Sequence, residues 1–161
     1  MSNPSSPRRI LFVCTGNICR SAMADHLLRF WSEKRGLGLE VRSCGTAAES
    51  WYEMPEHAHR LLTAEGLPAI EHQPKLLTRD LLRWADTVLV MAEHHREHIC
   101  ERYPEFTAKT RLLRAAADLD NEDVADPMGQ SYEVFSACLG VIRQSLEALL
   151  RSNFGMGHAP S

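Results

Sequence analysis

A chain of 161 residues, 44% hydrophobic and 24% charged, has the size and composition of one ordinary globular domain with its own core. A net charge of -3 and a pI near 6.2 exclude the broad basic field of a nucleic-acid or anionic-membrane binder, so an anionic substrate has to be captured by local geometry. No stretch approaches the roughly 18 consecutive apolar residues of a membrane span, no apolar signal region opens the chain, and five cysteines without paired spacing do not make a secreted disulfide framework; the expected setting is a reducing cytoplasm.

In chain order, residues 1–8 read as a flexible leader. Ile10-Leu11-Phe12-Val13 is a short continuous apolar run, the pattern of a strand buried on both faces. From Ser21 to Arg35 the period becomes helical, with Met23, Leu27, Leu28 and Trp31 on one stripe and Gly36 and Gly38 as the stop. Leu39 to Ser43 is a second strand, and Pro55 opens a helix that turns Ala58, Leu61 and Leu62 inward and ends at Gly66. Thr78 caps a short helix through Trp84, Thr87 to Met91 is a central strand, and a polar helix from Glu93 to Tyr103 is closed by Pro104. Thr110 to Leu113 is a fourth strand. A final helix from Tyr132 to Arg151 sets Val134, Leu139, Ile142, Leu146 and Leu149 at helical spacing, and residues 152–161 form a flexible tail. Strands alternating with helices predict a single α/β domain over 1–161 with a parallel sheet, and ligands in such sheets sit at the carboxyl ends of the strands.

The first strand runs directly into Cys14-Thr15-Gly16-Asn17-Ile18-Cys19-Arg20-Ser21, where the helix begins. A tight loop in this place can turn successive backbone N–H groups inward as an anion nest, and the helix behind it adds its positive end. Gly16 tolerates a left-handed backbone, and Asn17 visits that region more easily than most residues. The nest that holds phosphate also favours the thiolate of Cys14, the form in which cysteine is a nucleophile. Arg20 offers a planar fork matched to two phosphoryl oxygens, and Ser21, at the helix cap, can donate its hydroxyl to the sulfur. Farther along, Asp126 precedes Pro127 in a loop-forming stretch able to swing over a pocket, where a carboxyl can protonate a leaving oxygen.

These residues resemble the low-molecular-weight protein tyrosine phosphatase family. The likeness runs from the loop through Met23-Ala24, Ser43-Cys44-Gly45-Thr46, Trp51, His72, Met91 and Asp126-Pro127. The resemblance implies a four-stranded parallel sheet flanked by helices on both faces. It also implies a protein-tyrosine phosphatase that needs no metal or cofactor and works through a phosphocysteine at Cys14, with Arg20 on the phosphate and Asp126 as acid and then base. It places Thr15, Gly16, Asn17, Ile18, Cys19, Arg20 and Ser21 around the phosphate, and Asn17, Ser21, Ser43 and His72 in a network supporting the loop. By the residues alone, His72 would be a surface histidine near Pro74. The expected partner is a phosphorylated protein, with no nucleic acid or membrane, and the chain a monomer or weak homodimer.

The chain departs from the family pattern in two places. Ala22 stands where proline is usual after the loop serine. Met128 and Gly129 follow Asp-Pro where an aromatic pair is common, which leaves Trp51 and Tyr52, with Ile18 and Met128, as the expected pocket walls. A bacterial branch of similar sequence removes phosphate from protein arginine but tends to carry threonine at the Ile18 position, so phosphotyrosine is preferred and phosphoarginine is the alternative. Thiol-dependent arsenate reduction is a further alternative. It needs a relay of resolving cysteines, and Cys100 has no partner close in sequence. Cys44, Cys100 and Cys138 read as structural. Cys19 is open between a reversible disulfide to Cys14 and a small buried side chain. Within Glu93 to His98, His94 and His98 share a helix face without an H-E-x-x-H order, so a solvated polar face is expected and not a metal site; His57 and His59 read as surface residues.

Overall fold

The computed structural model describes residues 8–152. Four strands, β1 (Arg9–Cys14), β2 (Glu40–Gly45), β3 (Thr87–Val90) and β4 (Thr110–Leu112), form one parallel sheet in the order β2-β1-β3-β4. The helices are α1 (Arg20–Arg35), α2 (Glu56–Ala64), α3 (Arg79–Trp84), α4 (Glu93–Arg102), α5 (Leu113–Ala116) and α6 (Tyr132–Ser152), with a 3-10 turn at Pro104–Lys109.

Beyond Arg9, strand β1 is apolar because both of its faces are covered. Ile10 and Phe12 pack into a cluster with α1, α2 and α6, while Leu11 and Val13 pack on the other face with Leu82 of α3 and Ile99 of α4. Such coverage is what a parallel sheet requires. Since β1 lies between β2 and β3, the chain leaves it at the point where the strand order reverses, and a crevice opens beyond its carboxyl end. Cys14 is the residue at that point.

The predicted stripes of α1 and α2 are buried as expected, Thr78 caps α3 by accepting from the Leu81 N–H, and Gly36 ends α1 in the left-handed conformation. Some details differ, beginning with the ends of β3 and β4, which stop one residue short of Met91 and Leu113. Strand β2 continues through Cys44 to Gly45, because a parallel bridge from Gly45 to Leu76 holds it extended. Ser21 is not the cap of α1: the helix begins at Arg20, and Cys19 precedes it without a side-chain cap bond. In α6, Val134 is 40% exposed, and Phe135 and Cys138 take the inner positions ahead of Leu139. The predicted leader and tail lie outside the described residues except at Arg8 and Ser152. Arg8 is anchored, its backbone N–H donating to Asp86 and its guanidinium to the Gly38 carbonyl, and Ser152 is the last residue of α6.

Candidate active site

The loop from Cys14 to Cys19 is clasped on both sides by the ends of neighbouring strands. Thr46 N–H donates to the Cys14 carbonyl and Ala47 N–H to that of Thr15, while Met91 N–H reaches the Val13 carbonyl. Gly45 lies directly beneath: a Cβ there would stand 2.3 Å from the Thr15 carbonyl oxygen and 3.0 Å from the Asn17 nitrogen, so only glycine fits. The left-handed residue of the loop is Asn17, with φ of 58°, whereas Gly16 is not in that region and packs beside the Tyr52 ring.

Hydrogen-bond directions then follow from one backbone group. Lys75 N–H donates to Asn17 Oδ1 at 2.9 Å, which turns the Asn17 amide nitrogen toward Ser21 Oγ and Ser43 Oγ, each at 2.9 Å. Ser21 therefore accepts from Asn17 and has its own proton to give, to Cys14 Sγ at 2.8 Å or to the Cys44 carbonyl at 3.4 Å. Ser43 donates to Asp25 Oδ2 at 2.6 Å, and the other Asp25 oxygen receives Arg29. Asp25 is buried, and burial raises its pKa from the usual carboxylate value, against the pull of Arg29 and Ser43. His72 joins the network: its Nε2–H donates to the Asn17 carbonyl at 2.5 Å, and its Nδ1 accepts from His26 Nε2 at 2.9 Å.

Arg20 is buried, donates to the Val124 carbonyl at 3.0 Å, and brings its other terminal nitrogen to 3.8 Å from Asp126 Oδ2. Asp126 Oδ1 accepts from the Met128 N–H in a tight turn. The segment before Asp126 is tied down in this structure: Val124 N–H donates to the Met91 carbonyl, Asp123 Oδ1 receives the Glu93 N–H at the start of α4, and Cys138 Sγ lies 3.7 Å from the Ala125 carbonyl.

A cavity of about 300 Å³ opens over Cys14 and Arg20, with Ile18, Tyr52 and Met128 as its apolar walls and Asp126 at its edge; Thr15, Gly16 and Cys19 complete it. Trp51 is not among these residues. It is 74% exposed, at the corner of a turn closed by the Tyr52 N–H on the Glu49 carbonyl, and meets Tyr52 edge-on, ring centroids 4.6 Å apart. The aromatic wall is Tyr52. Cys19 carries a free thiol against the Met128 sulfur. Burial pushes the thiols of Cys19 and Cys44 up, and that of Cys138 to about 12, so all three stay protonated and compete poorly as nucleophiles.

Four residues of this constellation are missed by the sequence reading: Asp25, His26, His95 and Asp123. Asp25 had a signal, since Ser21, Asp25 and Arg29 repeat at helical spacing on a helix whose neighbouring face is core. His95 belongs to the run read as a solvated face, yet it is fully buried; His57 also departs from a surface position, half-buried between Tyr132 and Phe135. Burial, with His94 and Arg20 nearby, brings His95 down to a pKa of about 3, and burial beside His72 brings His26 to about 4. Both histidines bind a proton less readily folded than unfolded. Below about pH 6.5 the unfolded chain therefore takes up more protons, and stability falls as pH drops toward 4, at most on the order of 1 kcal/mol per pH unit for each group, less for the partly open His26. Urea midpoints at pH 7 and 4.5 measure this, and the slope is expected to flatten in a His26→Gln/His95→Gln variant. An unchanged slope would assign the acid sensitivity to other groups. Among the described residues no cluster of three His, Cys, Asp or Glu could hold a metal ion, and no helix is long and apolar enough to cross a membrane.

A cavity shared by a cysteine sulfur, a guanidinium and a carboxyl suits the transfer of a phosphoryl group, and the fold and site define the class as the cysteine-dependent phosphatases. Within that class the chain belongs to the low molecular weight phosphotyrosine protein phosphatase family, whose model matches residues 9–154. Similar proteins include a protein-arginine-phosphatase of Geobacillus stearothermophilus, 40% identical over 144 residues (89% of this chain and 92% of the relative). The low molecular weight protein-tyrosine-phosphatase Wzb of Escherichia coli is 33% identical over 137 residues (84% and 88%). The crystal structure of the Erwinia amylovora tyrosine phosphatase AmsI superposes with a TM-score of 0.83 at 27% identity, covering 95% of this chain and 97% of that one.

Proposed function

We propose that the chain hydrolyses phosphotyrosine in phosphorylated proteins, and aryl phosphates generally, through a phosphocysteine. The observation that carries this reading is the 2.8 Å contact of Ser21 Oγ with Cys14 Sγ, directed by Asn17, at the base of a cavity shared with Arg20 and Asp126. Cys14 sulfur attacks phosphorus while Arg20 and the loop amides, led by those of Thr15 to Ser21, hold the phosphoryl oxygens. The P–O bond to the leaving group breaks, and Asp126 gives that oxygen its proton. Asp126 then takes a proton from water as the water oxygen attacks phosphorus; the P–S bond breaks, inorganic phosphate leaves, and Ser21 donates to the departing sulfur. No step needs a cofactor.

The walls of the cavity support an aryl substrate. Ile18, Tyr52 and Met128 offer carbon and sulfur surface to a ring, whereas the N–H groups of a phosphoguanidinium would find no acceptor on Ile18. The second reading, a protein arginine phosphatase, is supported by the 40% identical relative of that name. Phosphotyrosine and phosphoarginine versions of one peptide decide between them: kcat/KM is expected at least tenfold higher for phosphotyrosine, and the reverse order would make the second reading the function. All five cysteines are free, which supports a reducing, cytoplasmic setting, and the chain is taken as one domain acting as a monomer or weak homodimer.

A further inference from the structure

The buried histidine of α4 has only one way to carry its proton. Ala92 N–H donates to His95 Nδ1 at 3.1 Å, which occupies the lone pair of that nitrogen. The neutral ring therefore keeps its hydrogen on Nε2, 2.8 Å from Thr15 Oγ1, and His95 is the donor of that bond. Thr15 thus receives a hydrogen bond and has to send its own proton elsewhere. It follows the nucleophile directly, its side chain is exposed, and it lines the catalytic cavity.

We propose that His95 is a positioning residue that turns the Thr15 hydroxyl proton into the cavity, making Thr15 O–H a donor to the bound phosphoryl group beside Arg20. The same turn of α4 holds the segment leading to Asp126, through Glu93 N–H to Asp123 Oδ1, so one helix end registers the phosphate loop against the acid. A purely local role for His95, as an acceptor for the Ala92 N–H at the start of α4, would have no connection with Thr15. The inference rests on the phosphatase reading and adds to it a residue that never touches substrate.

A double-mutant cycle tests it, with kcat/KM for p-nitrophenyl phosphate and the inhibition constant for vanadate as readouts. A hydrogen bond to a charged group is worth roughly tenfold or more, so Thr15→Val is expected to lower kcat/KM and weaken vanadate each by about tenfold. His95→Asn, too short to span from Ala92 to Thr15, is expected to do the same, and the double variant to lose about as much as either alone. His95→Gln, whose amide can accept from Ala92 and donate toward Thr15, is expected to recover most of the loss, and Thr15→Ser to keep it from arising. Additive losses, near a hundredfold in the double variant, would overturn the proposal. So would unchanged vanadate affinity in Thr15→Val, a surface change that decides the matter even if the His95 variants fail to fold. A wild-type protein inert toward p-nitrophenyl phosphate would sink the phosphatase reading itself; active wild type with additive variants would sink only this inference.

Discussion

Cys14→Ser is expected to lose at least about 10⁴-fold in turnover of p-nitrophenyl phosphate while still binding vanadate and melting close to the wild-type temperature. The expected loss is chemical. A serine hydroxyl is far less nucleophilic toward phosphorus than a cysteine sulfur, and the ester it would form is a poor leaving group for the second step. The fold has little reason to notice the change: the substitute is slightly smaller, sits at the end of a strand whose pairing is entirely backbone, and can still meet Ser21. Retained binding separates this outcome from simple unfolding. Residual turnover within a hundredfold of wild type would mean that some other group attacks phosphorus.

Asp126→Ala is expected to cost about 10²- to 10⁴-fold on phosphotyrosine, the range typical of a lost general acid. On p-nitrophenyl phosphate the loss should be distinctly smaller in the first step, because nitrophenolate departs with little help from a proton. That dependence on the leaving group is the informative result. Asp126 stands 3.8 Å from Arg20, so its removal also changes the field of the pocket, and a purely electrostatic effect would alter both substrates alike. Asp126→Asn, which keeps the shape and removes the proton, should behave like alanine toward phosphotyrosine. Equal losses on both substrates would take the acid role away from this residue.

The sequence made the phosphate loop readable because its parts are contiguous. Strand, sulfur, arginine and helix follow each other within a dozen residues, and each carries its own local signature. The acid was readable for a similar reason, since Asp-Pro marks a loop whatever surrounds it. What escaped depends on packing between distant segments. Nothing in Glu93 to His98, polar at nearly every position, distinguishes His95 as the one histidine that turns inward against Thr15. Gly16 and Asn17 are neighbours that both suit a left-handed backbone, and the hydrogen bond from Lys75, 58 residues away, accompanies the choice of Asn17. Trp51 was the expected aromatic wall, with Tyr52 beside it, but a local turn leaves Trp51 exposed and Tyr52 on the cavity. Val134 kept helical spacing with the core residues of α6 but lies on the edge of the stripe, beyond what covers it.

The crowding of Gly45 against the backbone of Thr15 and Asn17 has an evolutionary corollary. A loop wedged that tightly between two strand ends leaves selection almost no latitude in the reacting atoms, so the reaction itself is frozen once the sheet is built. Ile18, Tyr52 and Met128 hold no comparable position, contributing surface to the cavity with few polar obligations elsewhere. Descendants of such a scaffold are therefore free to exchange what they recognise by altering three side chains, and they inherit the means of cleaving it unchanged.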